Sequence, residues 1–76
     1  NKDCPLIDAL HRAMFLWKTE KRQELISYLS KRNLLEDSRF WKLAQALFEV
    51  LPRDIEDWKL INALLSERST LKTESK

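Results

Sequence analysis

The sequence predicts an all-α protein that folds as a compact four-helix domain, mostly antiparallel, with a buried central third helix. Three observations predict this class. The chain contains no glycine, the residue that hairpin turns and phosphate-binding loops most often use. No segment alternates polar and apolar residues with the period of two that is typical of strands. Apolar residues instead recur at spacings of three and four in four separate stretches, which is the period of an amphipathic helix.

The stretch from Arg39 to Pro52 predicts the central helix. Its apolar residues cover most of the helix circumference and leave only a narrow polar stripe, made of Lys42, Gln45 and Glu49. A helix that is apolar on nearly every side must be covered by protein on several sides. We therefore expect the other three helices to pack around this one. Asp37 and Ser38 precede it and can accept hydrogen bonds from its unpaired first amides.

The first helix is predicted to begin near Asp3, Cys4 and Pro5, because proline fits the first helical turn, where an N–H would have no partner. It should end around Lys18, where the helix dipole favours a cation. Its apolar stripe is Ile7, Leu10, Met14 and Trp17. The chain begins with Asn1 in place of an initiator methionine, so we expect it to be a segment of a larger protein.

The second helix is predicted from about Glu20 to Arg32, with Thr19 as its N-cap. Threonine is a preferred N-cap residue because its hydroxyl can accept a hydrogen bond from a first-turn amide. Asn33 is expected to close the helix in the left-handed conformation, which asparagine tolerates better than most residues.

The fourth helix is predicted to follow Pro52, which should end the third. Asp54 should cap it, with Asp57 in the reciprocal position of a capping box. Residues 69–76 are mostly polar and are expected to form a frayed tail. The chain would then be a single domain over residues 1–76 with its core at about 5–68.

Charge and composition restrict the function classes. Each half of the chain, divided after Ser38, carries 7 Lys and Arg against 6 Asp and Glu, whereas nucleic-acid-binding domains usually concentrate positive charge on one face. The one cysteine excludes an intrachain disulfide, which favours an intracellular, cytoplasmic protein. No apolar run is long enough to span a bilayer, so no membrane partner is expected.

No constellation of residues predicts catalysis or metal binding. Cys4 and His11 are the only candidates for soft metal ligands, fewer than the three or four that zinc normally takes. The carboxylate pairs, such as Asp54 and Asp57, stand at predicted helix starts, where capping explains them. We therefore expect no catalytic residue, no metal site, no cofactor and no small-molecule substrate.

The tryptophans are candidates for partner contact. Each lies in an apolar helical stripe, so packing in the core is the favoured interpretation for all three. Trp41 directly follows Phe40, however, and two adjacent aromatic side chains cannot both point in one direction on a helix. Trp41 could therefore meet a partner, and Trp17 is the second candidate.

A group of basic residues around the second helix could contact phosphate. The candidates are Lys21, Arg22, Lys31 and Arg32. Glu20 and Glu24 interrupt them, so a solvated face is the favoured interpretation, and phosphate contact stays open as the alternative.

Two segments carry a resemblance to a known family: PLIDALHRAMFLW (Pro5 to Trp17) and FWKLAQALFEVLPRDIEDWKLINALLSER (Phe40 to Arg68). They resemble a helical region towards the C-terminal end of large bacterial and archaeal adenine-specific DNA methylases. The resemblance implies a parent enzyme that transfers a methyl group from S-adenosylmethionine to adenine. The chain contains neither the Asp-Pro-Pro-Tyr-like loop nor the glycine-rich cofactor loop of that activity, so no functional residue can be carried over.

The expected function is that of a non-catalytic helical accessory or interaction domain in a larger intracellular protein, with a DNA methylase as the implied parent. Its expected partner is the remainder of that parent or a second subunit. A stand-alone protein–protein interaction module is the alternative, and a weak nucleic-acid-binding domain ranks third.

Overall fold

The computed structural model describes residues 5–75, and in this range the chain forms four α-helices and no strand. They are α1 (Pro5–Lys18), α2 (Arg22–Lys31), α3 (Ser38–Val50) and α4 (Glu56–Glu74). The prediction of an all-α four-helix domain is confirmed. Helix α1 ends at the predicted residue. The part of its predicted start that falls on Asp3 and Cys4 lies outside the described residues.

Helix α1, and not α3, packs extensively against all three of the other helices. Helix α3 packs mainly against α1 and α4, whereas α2 packs mainly against α1. The first half of α3 is buried through Phe40, Trp41 and Ala44. Its second half is covered only in part, and Leu47 is half-buried there. The first half of α3 is therefore buried as expected. The other three helices do not all pack around α3, however, because α2 packs mainly on α1.

The start of α2 differs from its prediction. Thr19 does not cap α2, because its hydroxyl donates to the carbonyl oxygen of Phe15 at 2.9 Å and so closes the end of α1. Glu20 takes a positive φ of 60°, and α2 begins only after Lys21, which caps it without a side-chain hydrogen bond. At the other end of α2, Asn33 has a φ of 58°, as predicted.

The starts of α3 and α4 show one success and one error. The Asp37 side chain accepts a hydrogen bond from the backbone N–H of Arg39 at 2.9 Å, so Asp37 is the N-cap of α3. The prediction of a capping box formed by Asp54 and Asp57 is wrong. Ile55 is the N-cap of α4 and makes no side-chain cap bond. The residues after Pro52 form a turn first, which moves the helix start to Glu56.

The predicted frayed tail is also wrong, because α4 continues to Glu74. Leu71 is 0% exposed and belongs to the hydrophobic core. The guanidinium of Arg22 adds a polar link to the same part of α4, with Nη2 at 3.1 Å from Glu67 Oε1 and Nε at 2.8 Å from Glu74 Oε1. The last turns of α4 are therefore packed against the rest of the domain.

The hydrophobic core draws on all four helices and on the α2–α3 connection. Its largest fully buried side chains are Phe40, Leu10, Leu25, Leu29, Ile61, Leu64 and Leu71. None of the helices in the described range has the length and apolar character that crossing a bilayer requires.

Candidate interaction surface

Three large apolar side chains are exposed at helix ends. Phe15 is 51% exposed, Val50 74% and Ile55 37%, and they are the exposed large hydrophobic residues of the described range. Val50 is the last residue of α3, and Ile55 is the N-cap of α4. Phe15 lies in the last turn of α1 and borders a cavity that the first turn of α4 also lines. We call the three residues the apolar surface. Single exposed apolar residues are normal, but a group of them is typical of an interaction site.

A surface cavity of about 230 Å³, open to solvent, lies between α1 and α4 beside Phe15. Its apolar walls are Met14, Phe15 and Leu60, and its polar walls are His11, Lys18, Glu56 and Asp57. Apolar walls next to a few charged groups are the usual composition of a site that binds part of a partner molecule.

The turn that holds Val50 and Ile55 is braced by two aromatic residues. The rings of Phe48 and Trp58 stack with their centroids 5.0 Å apart and an interplanar angle of 19°. The indole N–H of Trp58 also donates to the carbonyl oxygen of Phe48 at 3.0 Å. These contacts join the end of α3 to the first turns of α4. The exposed residues between them therefore stand on a fixed backbone, which lowers the entropy cost of binding.

The charges around the start of α4 are of both signs: Lys18, Arg53 and Lys59 against Asp54, Glu56 and Asp57. Lys18 Nζ lies 3.0 Å from Glu56 Oε1, and both side chains are more than half exposed. Exposed pairs of this kind contribute little to stability. Asp54 and Asp57 form no ion pair with any other residue of the described range. A partner could therefore reach carboxylates beside the apolar surface without breaking a strong internal contact.

The prediction that Trp41 contacts a partner is wrong, because its side chain is only 3% exposed. Its indole N–H donates to the carbonyl oxygen of Leu35 at 3.1 Å. Its ring meets that of Phe40 edge to face, with centroids 5.0 Å apart and an interplanar angle of 89°. Both aromatic side chains are thus buried, and the buried Leu34–Leu35 connection helps to cover Trp41.

Trp17, the other predicted contact residue, is half-buried. It lines a second cavity, of about 280 Å³, together with Leu16, Glu20 and Arg22. The guanidinium carbon of Arg22 lies 5.8 Å from the centroid of the Trp17 ring. Partner contact by Trp17 stays a prediction.

The four predicted phosphate contacts are not equivalent in the structure. Arg22 donates hydrogen bonds to the carboxylates of Glu74 and Glu67, which raise its pKa above the ordinary value. Lys21, Lys31 and Arg32 are exposed, and the guanidinium carbon of Arg32 lies 4.8 Å from the Tyr28 ring centroid. Phosphate contact stays a prediction for these three, but Arg22 is already paired within the chain.

A wide groove of about 500 Å³ runs between α1 and α2 next to these basic residues. Arg12, Glu24 and Lys31 line it, together with Leu16, Gln23, Ser27 and Tyr28. Charges of both signs line this groove, Arg12 and Lys31 against Glu24. It therefore lacks the continuous positive potential that is typical of a nucleic-acid track.

Among residues 5–75, no group of three or more His, Cys, Asp or Glu side chains is placed to hold a metal ion. His11 lies on the wall of the α1–α4 cavity, and Cys4 lies outside the described range. The apolar surface is the feature that sequence reasoning missed. Phe15 falls outside the apolar stripe of the first helix, and that displacement is the one signal in the sequence that could have identified it.

The chain matches no family model, no curated protein and no solved structure.

Proposed function

We propose that this chain is a non-catalytic interaction domain that binds another protein segment through the apolar surface around the start of α4. One observation carries the proposal. Phe15, Val50 and Ile55 are exposed at the end of α1, the end of α3 and the N-cap of α4, although the same chain buries large apolar residues from all four helices. A folded monomer gains nothing from this exposure, whereas a bound partner would remove it from water.

The energy that such a contact can supply is moderate. Burying a large apolar side chain completely contributes about 1.5–3 kcal/mol, and each of the three is already partly covered. Association itself costs an estimated 4–15 kcal/mol in lost freedom. The three side chains would therefore act as anchors, and the partner must add contacts in the adjacent α1–α4 cavity to bind stably.

The proposal includes a larger protein in which this domain works. The resemblance of Pro5–Trp17 and Phe40–Arg68 to a helical region of adenine-specific DNA methylases supports such an enzyme as the parent, in the cytoplasm. The partner would then be the remainder of the parent or a second subunit. The sequence of the complete reading frame tests this part directly. An Asp-Pro-Pro-Tyr-type motif upstream would support a methylase parent, and its absence would favour the stand-alone interaction module.

An unbiased selection of peptides tests the surface itself. A random peptide library is displayed on phage and selected on the folded 76-residue chain, and the binders are then compared on a Phe15→Ser/Val50→Ser variant. Both side chains are exposed, so we expect this variant to keep its helical circular dichroism spectrum. The selected peptides should bind it at least tenfold more weakly than they bind the wild type.

The matched control is Lys31→Ser, an exposed residue on α2 away from the apolar surface. Binding of the selected peptides should be unchanged by it. If the peptides bind the double-serine variant as tightly as the wild type, the apolar surface is not the interaction site.

A further inference from the structure

We propose that Arg68 forms an oxyanion-binding site on the second half of α4, with the two Nη atoms of its guanidinium as hydrogen-bond donors and Lys72 as a second cation. The ligand is a carboxylate or phosphate group of a molecule that binds the domain. The site is separate from the apolar surface and does not depend on the proposed function.

Aromatic packing orients the guanidinium of Arg68. Its carbon atom lies 5.0 Å from the centroid of the Trp41 ring. That ring is itself fixed, because its indole N–H donates to the carbonyl oxygen of Leu35 at 3.1 Å and its edge-to-face contact with Phe40 is buried. A guanidinium stacked on a fixed ring is oriented before a ligand arrives, which lowers the entropy cost of binding.

The guanidinium of Arg68 has no anionic partner within residues 5–75, where it donates no side-chain hydrogen bond and forms no ion pair. Arg68 is half-buried, and its Nε atom is the one buried side-chain nitrogen or oxygen of this range that lacks a partner. The two Nη atoms also lack partners and are therefore open to solvent. An anion can thus reach the outer edge of the guanidinium while Trp41 covers its inner part.

The other arginines of the described range do not share this combination. They are either paired with carboxylates, as Arg22 and Arg39 are, or exposed to water, as Arg12, Arg32 and Arg53 are. A half-buried cation without a counter-ion loses hydration and gains no ion pair in return. Arg68 is therefore the arginine whose charge the chain itself leaves uncompensated.

The packing of α4 does not explain this charge. An unbranched apolar side chain could cover Trp41 as the stem of Arg68 does. A buried donor that lacks a partner in a native structure calls for an explanation, such as a bound ion. Arginine is the side chain that holds carboxylate and phosphate groups with two parallel hydrogen bonds. An oxyanion on the Nη atoms accounts for both the charge and the open edge of the guanidinium.

Lys72 adds a second positive charge on the same face of α4. It follows Arg68 at the i, i+4 spacing that makes side chains neighbours on a helix. Its Nζ atom lies 3.5 Å from Glu36 Oε1, and the Glu36 side chain is 73% exposed, so this pair is weak. Asp37, the next carboxylate in the chain, is paired with Arg39. Two cations thus face one loosely held carboxylate, and the site carries a net positive charge.

An NMR titration with two small oxyanions tests the site. Sodium acetate and sodium phosphate are each added to the ¹⁵N-labelled chain at constant pH, with the ionic strength held constant by NaCl. The Trp41 indole N–H resonance reports on the site because this ring lies against Arg68. We expect a saturable shift of this resonance, and the anion with the lower dissociation constant identifies the ligand as carboxylate or phosphate. No saturable shift with either anion overturns the proposal.

Two variants assign the response to the site. Arg68→Met removes the donors and keeps an unbranched stem against Trp41, so the affinity for the anion should fall at least tenfold. Glu36→Gln removes the competing carboxylate at an exposed position, so the affinity should rise at least twofold. An unchanged affinity in Arg68→Met places the anion elsewhere and overturns the proposal. If Arg68→Met does not fold, an affinity that fails to rise in Glu36→Gln overturns it as well.

The matched control is Arg53→Met. Arg53 is an exposed arginine whose guanidinium carbon lies 6.0 Å from the centroid of the Trp58 ring. This variant should leave the response of the Trp41 resonance unchanged, and circular dichroism verifies that each variant is folded. A response that is lost in Arg53→Met and kept in Arg68→Met would contradict the assignment to Arg68.

Discussion

Arg68 is the residue at which burial and charge conflict most clearly. Its guanidinium carbon lies 5.0 Å from the centroid of the Trp41 ring, a contact in which the ring face attracts the cation. Its Nε atom is buried and has no hydrogen-bond partner among the described residues. A buried donor without a partner costs about 1–3 kcal/mol. The contact with Trp41 and the burial of the apolar stem of Arg68 therefore offset the free-energy cost of the unpaired Nε–H.

This balance predicts that Arg68→Met is tolerated. Methionine keeps an unbranched apolar stem against Trp41 and removes the unpartnered N–H, so the free energy of unfolding should stay within about 1 kcal/mol of the wild type. Arg68→Ala should destabilise more, since it also removes the stem. Urea denaturation of both variants provides the measurement. A loss above about 2 kcal/mol for Arg68→Met would show that the guanidinium, and not the stem, stabilises this contact.

Asp37 predicts a pH dependence of stability. The Arg39 side chain donates to it with Nε at 3.2 Å from Oδ1 and Nη2 at 3.0 Å from Oδ2. These bonds lower the pKa of Asp37, and the backbone N–H of Arg39 adds to the effect. A carboxyl group whose pKa is lower in the folded state stabilises fully above its unfolded pKa, and this stability is lost as the pH falls through the folded value.

Thermal unfolding of the wild type and of Asp37→Asn, measured over a range of pH, should reveal the stabilisation by the Asp37 carboxylate. Asparagine can still cap α3 but carries no charge for Arg39. The wild type should be the more stable of the two at neutral pH, and its advantage should decline as the pH falls below the ordinary pKa of an Asp carboxyl. An advantage that persists undiminished to the lowest pH would contradict the assignment to the Asp37 carboxylate.

The helices themselves could be predicted from the sequence, whereas several of their ends could not. The end of α1, the left-handed Asn33 and the Asp37 cap follow from the chemistry of the residue at the position. The start of α4 depends on the turn after Pro52 and on the stacking of Phe48 with Trp58. Such contacts are set by the tertiary structure and are absent from local sequence.

The end of α4 illustrates the same limit. The sequence after residue 69 contains one large apolar residue, Leu71, in a polar run, which gives no helical stripe to recognise. Its burial depends on the other helices, and the nearby Arg22 contacts join residues 45 and 52 positions apart in the chain. Amphipathic periodicity cannot report contacts over such separations.

Leu71→Ala tests the packing of this last part of α4. Leu71 is fully buried, so its truncation should reduce the free energy of unfolding by about 2–5 kcal/mol, the range for leucine in a core. The neighbouring Thr70→Ala is the matched control at an exposed position, and it should change the value by less than about 0.5 kcal/mol. If chemical denaturation gives the same change in the free energy of unfolding for both variants, residues 69–74 do not pack against the domain and the prediction of a frayed tail would be correct.

At the scale of the whole molecule, the packing of α2 on α1 decides which apolar residues remain exposed. In the sequence, Val50 is one of the apolar residues of the third helix, and helical periodicity alone would predict that it is buried. Because α3 has only α1 and α4 as its main neighbours, Val50 at its end is left exposed. The apolar surface therefore results from the arrangement of the helices, which a single sequence does not specify.

The distribution of charge over the molecule predicts weak binding to DNA. Arg22 is paired with Glu67 and Glu74, and Glu20 and Glu24 interrupt the remaining basic residues of α2. Fluorescence anisotropy with duplex DNA at physiological salt should give no dissociation constant below about 10 μM, the regime of non-specific contacts. Submicromolar binding that is lost in Lys21→Glu/Lys31→Glu would instead favour the nucleic-acid-binding alternative.

The most direct test of the interaction surface is an NMR titration of the ¹⁵N-labelled chain with a peptide from the phage selection. Amide resonances should shift in the last turn of α1, in residues 50–55 and in the first two turns of α4, because these segments carry Phe15, Val50, Ile55 and the walls of the α1–α4 cavity. The resonances of α2 should stay unchanged. Shifts confined to α2 or to the α1–α2 groove would contradict the account and place the partner elsewhere.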